Sequence, residues 1–179
     1  MVTTELAPES GNPEHGECET LMHKSDVDVI AEAYNNLGVT YHMHGRIELA
    51  IDKYKQALMM KPTLAEAHSN LGVAYTALGE YDRAIAFFDR QLKISEETGS
   101  RIGQAAANAN LGSAYQCRGD FARARTAFER SLEISLQVGE KQGIGLLNSC
   151  LGGLSLETGE WDKAEEHFAE AEQIARSIG

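Results

Sequence analysis

Four Leu-Gly pairs recur along this chain, at Leu37-Gly38, Leu71-Gly72, Leu111-Gly112 and Leu151-Gly152, spaced by 34, 40 and 40 residues. A period of this size marks supersecondary units that cannot bury a core alone and must lean on their neighbours. Such a chain is restricted to a stacked helical array, an architecture suited to binding rather than chemistry.

Numbering each copy from Ala31, Ala65, Ala105 and Gly145 brings further residues into register. The eleventh position holds Tyr41, Tyr75, Tyr115 and, out of pattern, Ser155. The fifteenth is Gly45, Gly79, Gly119 and Gly159; the twentieth is Ala50, Ala84, Ala124 and Ala164. The twenty-fourth is Tyr54, Phe88, Phe128 and Phe168. Glycine at the fifteenth position takes the left-handed conformation that closes a first helix. The glycine of each Leu-Gly pair sits inside a helix, where it costs about 1 kcal/mol against alanine. Its presence predicts two helices packed closely at that point, with the small alanine opposite and the aromatics filling the space alongside. Pro62 stops the second helix of the first copy.

The run Tyr34-x2-Leu37-Gly38-x2-Tyr41, followed by Ala50-x3-Tyr54-x2-Ala57 and Pro62, resembles the tetratricopeptide repeat (TPR) family. The resemblance covers residues 31–179. It implies an all-α, right-handed α-solenoid of four helix-turn-helix repeats, one of 34 and three of about 40 residues, with a concave groove lined mainly by first helices. The expected repeats are about 31–64, 65–104, 105–144 and 145–179, in a domain over 26–179. The longer copies are most similar to the repeats of Pins-type spindle-orientation scaffolds. Their six extra residues, near Glu96–Arg101 and Leu136–Lys141, predict about 9 Å of added helix shared between neighbours.

The net charge of −11 is concentrated at the amino terminus, where residues 1–30 carry seven acids and one base. Residues 1–25 form an acidic tail rich in Glu, Pro, Gly, Ser and Thr, expected to be disordered. No basic stripe exists, so nucleic acid is not an expected partner. No signal-peptide pattern and no run of 18 apolar residues occurs, so no membrane insertion is expected. Three cysteines at 18, 117 and 150 do not form a disulfide framework, and a reduced, cytoplasmic setting is the expectation.

Positions 4, 7, 8 and 11 share the packing face of each first helix, leaving positions 2, 5, 6, 9, 12 and 13 on the open side. Position 6 is Asn36, Asn70, Asn110 and then Cys150. Mid-helix asparagine gains nothing from propensity, while its amide offers donors and an acceptor to an extended peptide backbone. A row of three therefore reads as a ladder for such a ligand; the competing reading is that each bonds a neighbouring helix and stiffens the stack. Similar rows occur in peptide-binding TPR proteins. Around the ladder the candidate peptide-binding residues are Glu32, Asn35, His42, Glu66, Ser69, Ser113 and Gln116. The cochaperone members of the family clamp a carboxylate with Lys at position 5 and Asn at position 9 of their first repeat. Here those slots hold Asn35 and Val39, so that clamp is absent.

The fourth copy departs from the others. Gly143, Gly145 and Gly153 add on the order of 3 kcal/mol of helix cost, and its open positions include Leu146, Ser149, Cys150, Gly153, Leu156 and Glu157. It is expected to open first. Phe168, Ala171, Ile174 and Ile178 are expected to face nothing, leaving an uncapped end open to self-association or a partner.

No catalytic residue, metal site or cofactor is expected. His42 and His44 sit about 200° apart on a helix, and His15, Cys18 and His23 match no zinc template. No nucleophile–base pair, phosphate loop or dinucleotide motif appears. The sequence thus points to a non-catalytic scaffold or adaptor binding an extended peptide. Two alternatives stand beside it: a purely structural stacking segment of a larger assembly, and a regulatory module of an enzyme complex.

Overall fold

A computed structural model describes residues 23–178 and contains eight helices and no strand among them. They are α1 (Lys24–Met43), α2 (Ile47–Met60), α3 (Ala65–Ala77), α4 (Tyr81–Glu97), α5 (Arg101–Cys117), α6 (Phe121–Val138), α7 (Lys141–Glu157) and α8 (Trp161–Ile178). Each odd-numbered helix pairs with the helix that follows it, and each pair packs on the next. Almost all of the acidic tail, with His15 and Cys18, lies outside the described residues. α1 opens at Lys24, two residues ahead of the expected boundary, with the Asp26 carboxylate accepting from the His23 backbone N–H at 3.3 Å.

The turn inside each pair follows from its glycine. Gly79 has φ +74°, a conformation costly for any residue with a β-carbon. From there its N–H donates to the Thr76 carbonyl at 3.0 Å, and Glu80 N–H donates to the Tyr75 carbonyl at 2.9 Å. These two bonds satisfy the carbonyls left over at the helix end. The long repeats use the same device again to end their second helices, at Gly99 and Gly139. The first repeat instead ends α2 at Met60, just before Pro62.

Close approach within each pair is set by the Leu-Gly glycine and the aromatic at position 24. A β-carbon on Gly38 would lie 2.5 Å from the Tyr54 ring, and one on Gly112 would lie 2.5 Å from Phe128. Ala50, Ala84 and Ala124 are wholly buried beside them. In the fourth pair the corresponding distance, Gly152 to Phe168, relaxes to 2.9 Å.

One core runs through repeats one to three, built on Tyr54, Leu71, Tyr75, Phe88 and Leu111. A second joins repeats three and four through Phe128, Leu147, Leu151 and Leu154. The extra length of the long repeats is divided between both helices at each junction. α4 is three residues longer than α2, α5 is four longer than α3, and the turn between them is shorter by one.

The end of the array differs from expectation in one respect. Phe168 seats its ring over Gly152, and Ile174 lies against Gly145 at the side of α7, so neither faces empty solvent. Phe168 and Ile178 still leave about two-fifths or more of their surface open. Ala164 is the single buried residue of α8.

Candidate functional site

The first helices α1, α3, α5 and α7 line one face of the stack, and the open positions of the repeat converge there. Between α1, α3 and the α4–α5 junction lies a trough of about 670 Å³ whose walls include Asn35, Asn36, Glu66, Ser69 and Asn70. A shallower recess beside it is bounded by Glu32, Asn36 and Glu66. Further along, between α5, α6 and α7, Asn110 stands at the edge of a smaller apolar socket. Six of the ten candidate residues line the trough or its recess, and Asn110 makes a seventh on the same face.

The asparagines share one arrangement. Asn70 Nδ2 donates to Asn35 Oδ1 at 2.9 Å, tying α3 to α1. Asn110 Nδ2 donates to Ser69 Oγ at 3.1 Å and to Gln91 Oε1 at 3.3 Å, tying α5 to the second repeat. Both side chains are half-buried, and neither Oδ1 accepts a hydrogen bond among the described residues. Each amide thus spends a donor on the preceding repeat while its oxygen is left without a partner among the described residues, Asn70 at the trough and Asn110 at the socket. Asn36 is exposed, and its side chain makes no such bond.

Asn35 is placed differently from its expected open position. It is only 3% exposed and acts as the acceptor for Asn70, because α3 packs over that side of α1. His42, Ser113 and Gln116 border neither the trough nor the socket. Ser113 Oγ donates to the Ala109 carbonyl at 3.1 Å, and Gln116 Nε2 donates to Glu157 Oε1 at 2.9 Å. The first bond lies within α5, and the second is an exposed link between the carboxyl ends of α5 and α7.

Part of the wall comes from second helices. Gln91, Ile94 and Ser95 of α4 and its capping residue Thr98 line the trough, and Ser131, Ser135 and Val138 of α6 line the socket. Of these only Thr98 and Val138 fall within the six-residue insertions; the others precede them, and no single-helix pattern marks them.

Outside the groove the repeats are linked by ion pairs. Arg118 donates to Asp82 at 2.6 Å and to Asp120 at 3.2 Å, and these bonds hold its guanidinium above its ordinary pKa. Arg125 pairs with Glu160. Bonds from Lys163 and Thr158, then the charge of Arg125, hold the Glu160 carboxyl below its ordinary range. Burial pushes the Cys150 thiol up, so it is less a nucleophile than a free cysteine. Among the described residues no cluster of His, Cys, Asp or Glu is arranged to hold a metal ion, and no helix is long and apolar enough to cross a membrane.

Comparison with known proteins agrees with this architecture. No protein of curated function matches the sequence. Among solved structures, BtubC (BKLC) from P. vanneervenii superposes with a TM-score of 0.79 at 23% identity, over 86% of this chain and 66% of its own. Aspartyl phosphate phosphatase F from Bacillus subtilis gives 0.80 at 16% identity, over 87% of this chain and 44% of its own. MamA gives 0.68 at 25% identity, over 87% of this chain and 92% of its own. The chain therefore spans less than two thirds of the first two. These likenesses show a right-handed α-solenoid. Residues 63–137 match one tetratricopeptide repeat model and residues 44–79 a second TPR repeat model. Repeats of this kind are generally non-catalytic interaction modules. Together the matches span residues 44–137, more than half of the 179 residues, and the chain belongs to the tetratricopeptide repeat family.

Proposed function

We propose that this chain is a non-catalytic protein-interaction module, a scaffold or adaptor, that binds an extended peptide segment across α1, α3 and α5. The observation that carries this reading is the half-used asparagine row. Asn70 and Asn110 are oriented by bonds to the preceding repeat, and their oxygens accept no hydrogen bond among the described residues. An acceptor held in place loses little freedom on binding, so it can take an N–H of an incoming backbone whatever that peptide's side chains. Glu32 and Glu66 at the same face favour a segment carrying lysine or arginine. Asn36, Ser69 and the remaining candidates contribute to the wall.

The same bonds favour a second reading, in which the row only stiffens the stack and the chain is a structural segment of a larger assembly. Asn36 separates the two, because its side chain joins no neighbouring helix. A random dodecapeptide display library panned on the immobilised full chain supplies the probe peptides. If the groove reads backbones, Asn36→Ala weakens the recovered peptides about three- to tenfold, equivalent to one hydrogen bond, and leaves thermal melting unchanged. Undiminished binding by both Asn36→Ala and Asn70→Ala, with Asn70→Ala alone lowering the melting temperature, would leave only the structural role.

A further inference from the structure

We propose that the groove is two sites in series: the polar trough, and an apolar socket between α5, α6 and α7 that takes one large aliphatic or aromatic side chain of the same bound peptide. This rests on the peptide-binding reading and specifies the peptide it selects. Position 2 of the four repeats reads Glu32, Glu66, Ala106 and Leu146, so the wall changes from acidic to small to apolar along one line. At the apolar end Ile102 is 67% exposed and Leu146 65% exposed, with Val138 beside them. They rim a socket of about 280 Å³ walled by Ala106 and Ala109.

The socket exists because the stack loosens there. α3 touches both α1 and α5, whereas α5 and α7 barely meet. The small residues Ala105, Ala106, Ala109 and Gly143 keep its walls back. Glu140 also lines it, with its carboxylate accepting from the Gly143 backbone N–H at 2.7 Å. The Ser131 hydroxyl likewise donates to the Ala105 carbonyl at 2.7 Å. An enclosed apolar cavity of about 150 Å³ holds a benzene ring, so this open-mouthed volume accommodates a leucine, isoleucine, methionine or phenylalanine side chain.

The occupant is a peptide rather than an unrelated apolar molecule because the socket and the trough share wall residues, Ile102 and Ala106. A chain paired with Asn70 and Asn110 runs directly over its mouth. The acids at the other end fix the remaining chemistry. With neighbouring helices about 8–10 Å apart, the distance from Glu66 to the socket is about 15–20 Å, which an extended chain covers in about five or six residues. The preferred segment therefore carries a basic residue and a large apolar residue about five or six positions apart.

The test uses the same dodecapeptide selection on the full chain. Recovered peptides should share a Leu, Ile, Met or Phe at that separation from a Lys or Arg. Leu146→Asp should abolish the apolar preference and weaken those peptides about tenfold, and Glu66→Lys should abolish only the basic one. Ile102→Asp, on a different helix and equally exposed, repeats the first arm should Leu146→Asp perturb folding. Recovered peptides that bind without apolar preference would overturn the socket and leave the trough standing, whereas recovery of none would overturn both. Self-association of the native chain, seen by light scattering and lost in Leu146→Asp, would assign the socket to a second copy and overturn the proposal.

Discussion

At the residue scale some helical glycines are required by packing and Gly153 is not. A β-carbon on Gly112 would enter the Phe128 ring, so Gly112→Ala should destabilise the chain by about 1–3 kcal/mol through overpacking. Nothing lies within 4 Å of a β-carbon built on Gly153, so Gly153→Ala should stabilise it by up to about 1 kcal/mol. Thermal melting of the two variants checks both signs. Ser155, which replaces the tyrosine of the other repeats, is wholly buried with no partner for its hydroxyl. An unmet polar atom sits where the other repeats place an aromatic. His68 carries a different cost. Its Nε2 donates to the Pro62 carbonyl at 2.9 Å and its Nδ1 is buried without a partner. Loss of hydration, and then the charge of Arg90, push the imidazole below its ordinary range against the opposing pull of the Pro62 bond. The unfolded chain therefore takes up a proton at higher pH than the folded one does. Stability is full above about pH 6.5 and falls as pH drops from there toward the folded value, by at most about 1.4 kcal/mol per pH unit. Urea midpoints measured from pH 7.5 to 5 should show that decline, and His68→Gln should flatten it.

At the element scale the helices and their turns are legible in the sequence because they depend on local chemistry. Gly45, Gly79, Gly119 and Gly159 close the first helices where counting places them, and the position 24 aromatics meet the Leu-Gly glycines. The groove is less legible. Helical periodicity assigns Asn35 and Asn36 alike to the open side, yet one step of about 100° puts Asn35 beneath α3, a matter of how repeats twist on each other. The ends of α4 and α6 reach the groove for the same reason, and no single-helix pattern contains that information. The fourth repeat is where sequence and packing agree most closely. α7 carries Gly143, Gly145 and Gly153, its pair with α8 has the slackest glycine–aromatic contact, and α8 buries only Ala164. Few buried contacts make an element open at low free energy. Amide exchange over Leu146–Leu156 should therefore be faster than over Leu111–Gln116, and equal protection of the two would refute the weak fourth repeat.

At the scale of the whole molecule the split core decides how the array comes apart. Repeats one to three share a continuous cluster, while the fourth is joined to them through Phe128, Leu147, Leu151 and Leu154, with Arg125–Glu160 and Gln116–Glu157 as outer ties. Single polar ties at a solvent-accessible surface add little, so the apolar contact carries the junction. In a stacked array stability is a sum over units and their interfaces, and a weak last unit should unfold ahead of the rest. Trp161 is the single tryptophan and lies in that unit, so its fluorescence reports the fourth repeat while circular dichroism reports all eight helices. In urea the fluorescence midpoint should precede the dichroism midpoint. A peptide filling both trough and socket binds only when α7 is in place, and at 100 times its Kd it should add about 2.7 kcal/mol to that state. The two midpoints should then converge, whereas a peptide whose apolar residue is replaced by serine should bind the trough and leave them apart. Convergence with both peptides would mean that the fourth repeat is stabilised through the stack itself, without occupation of the socket.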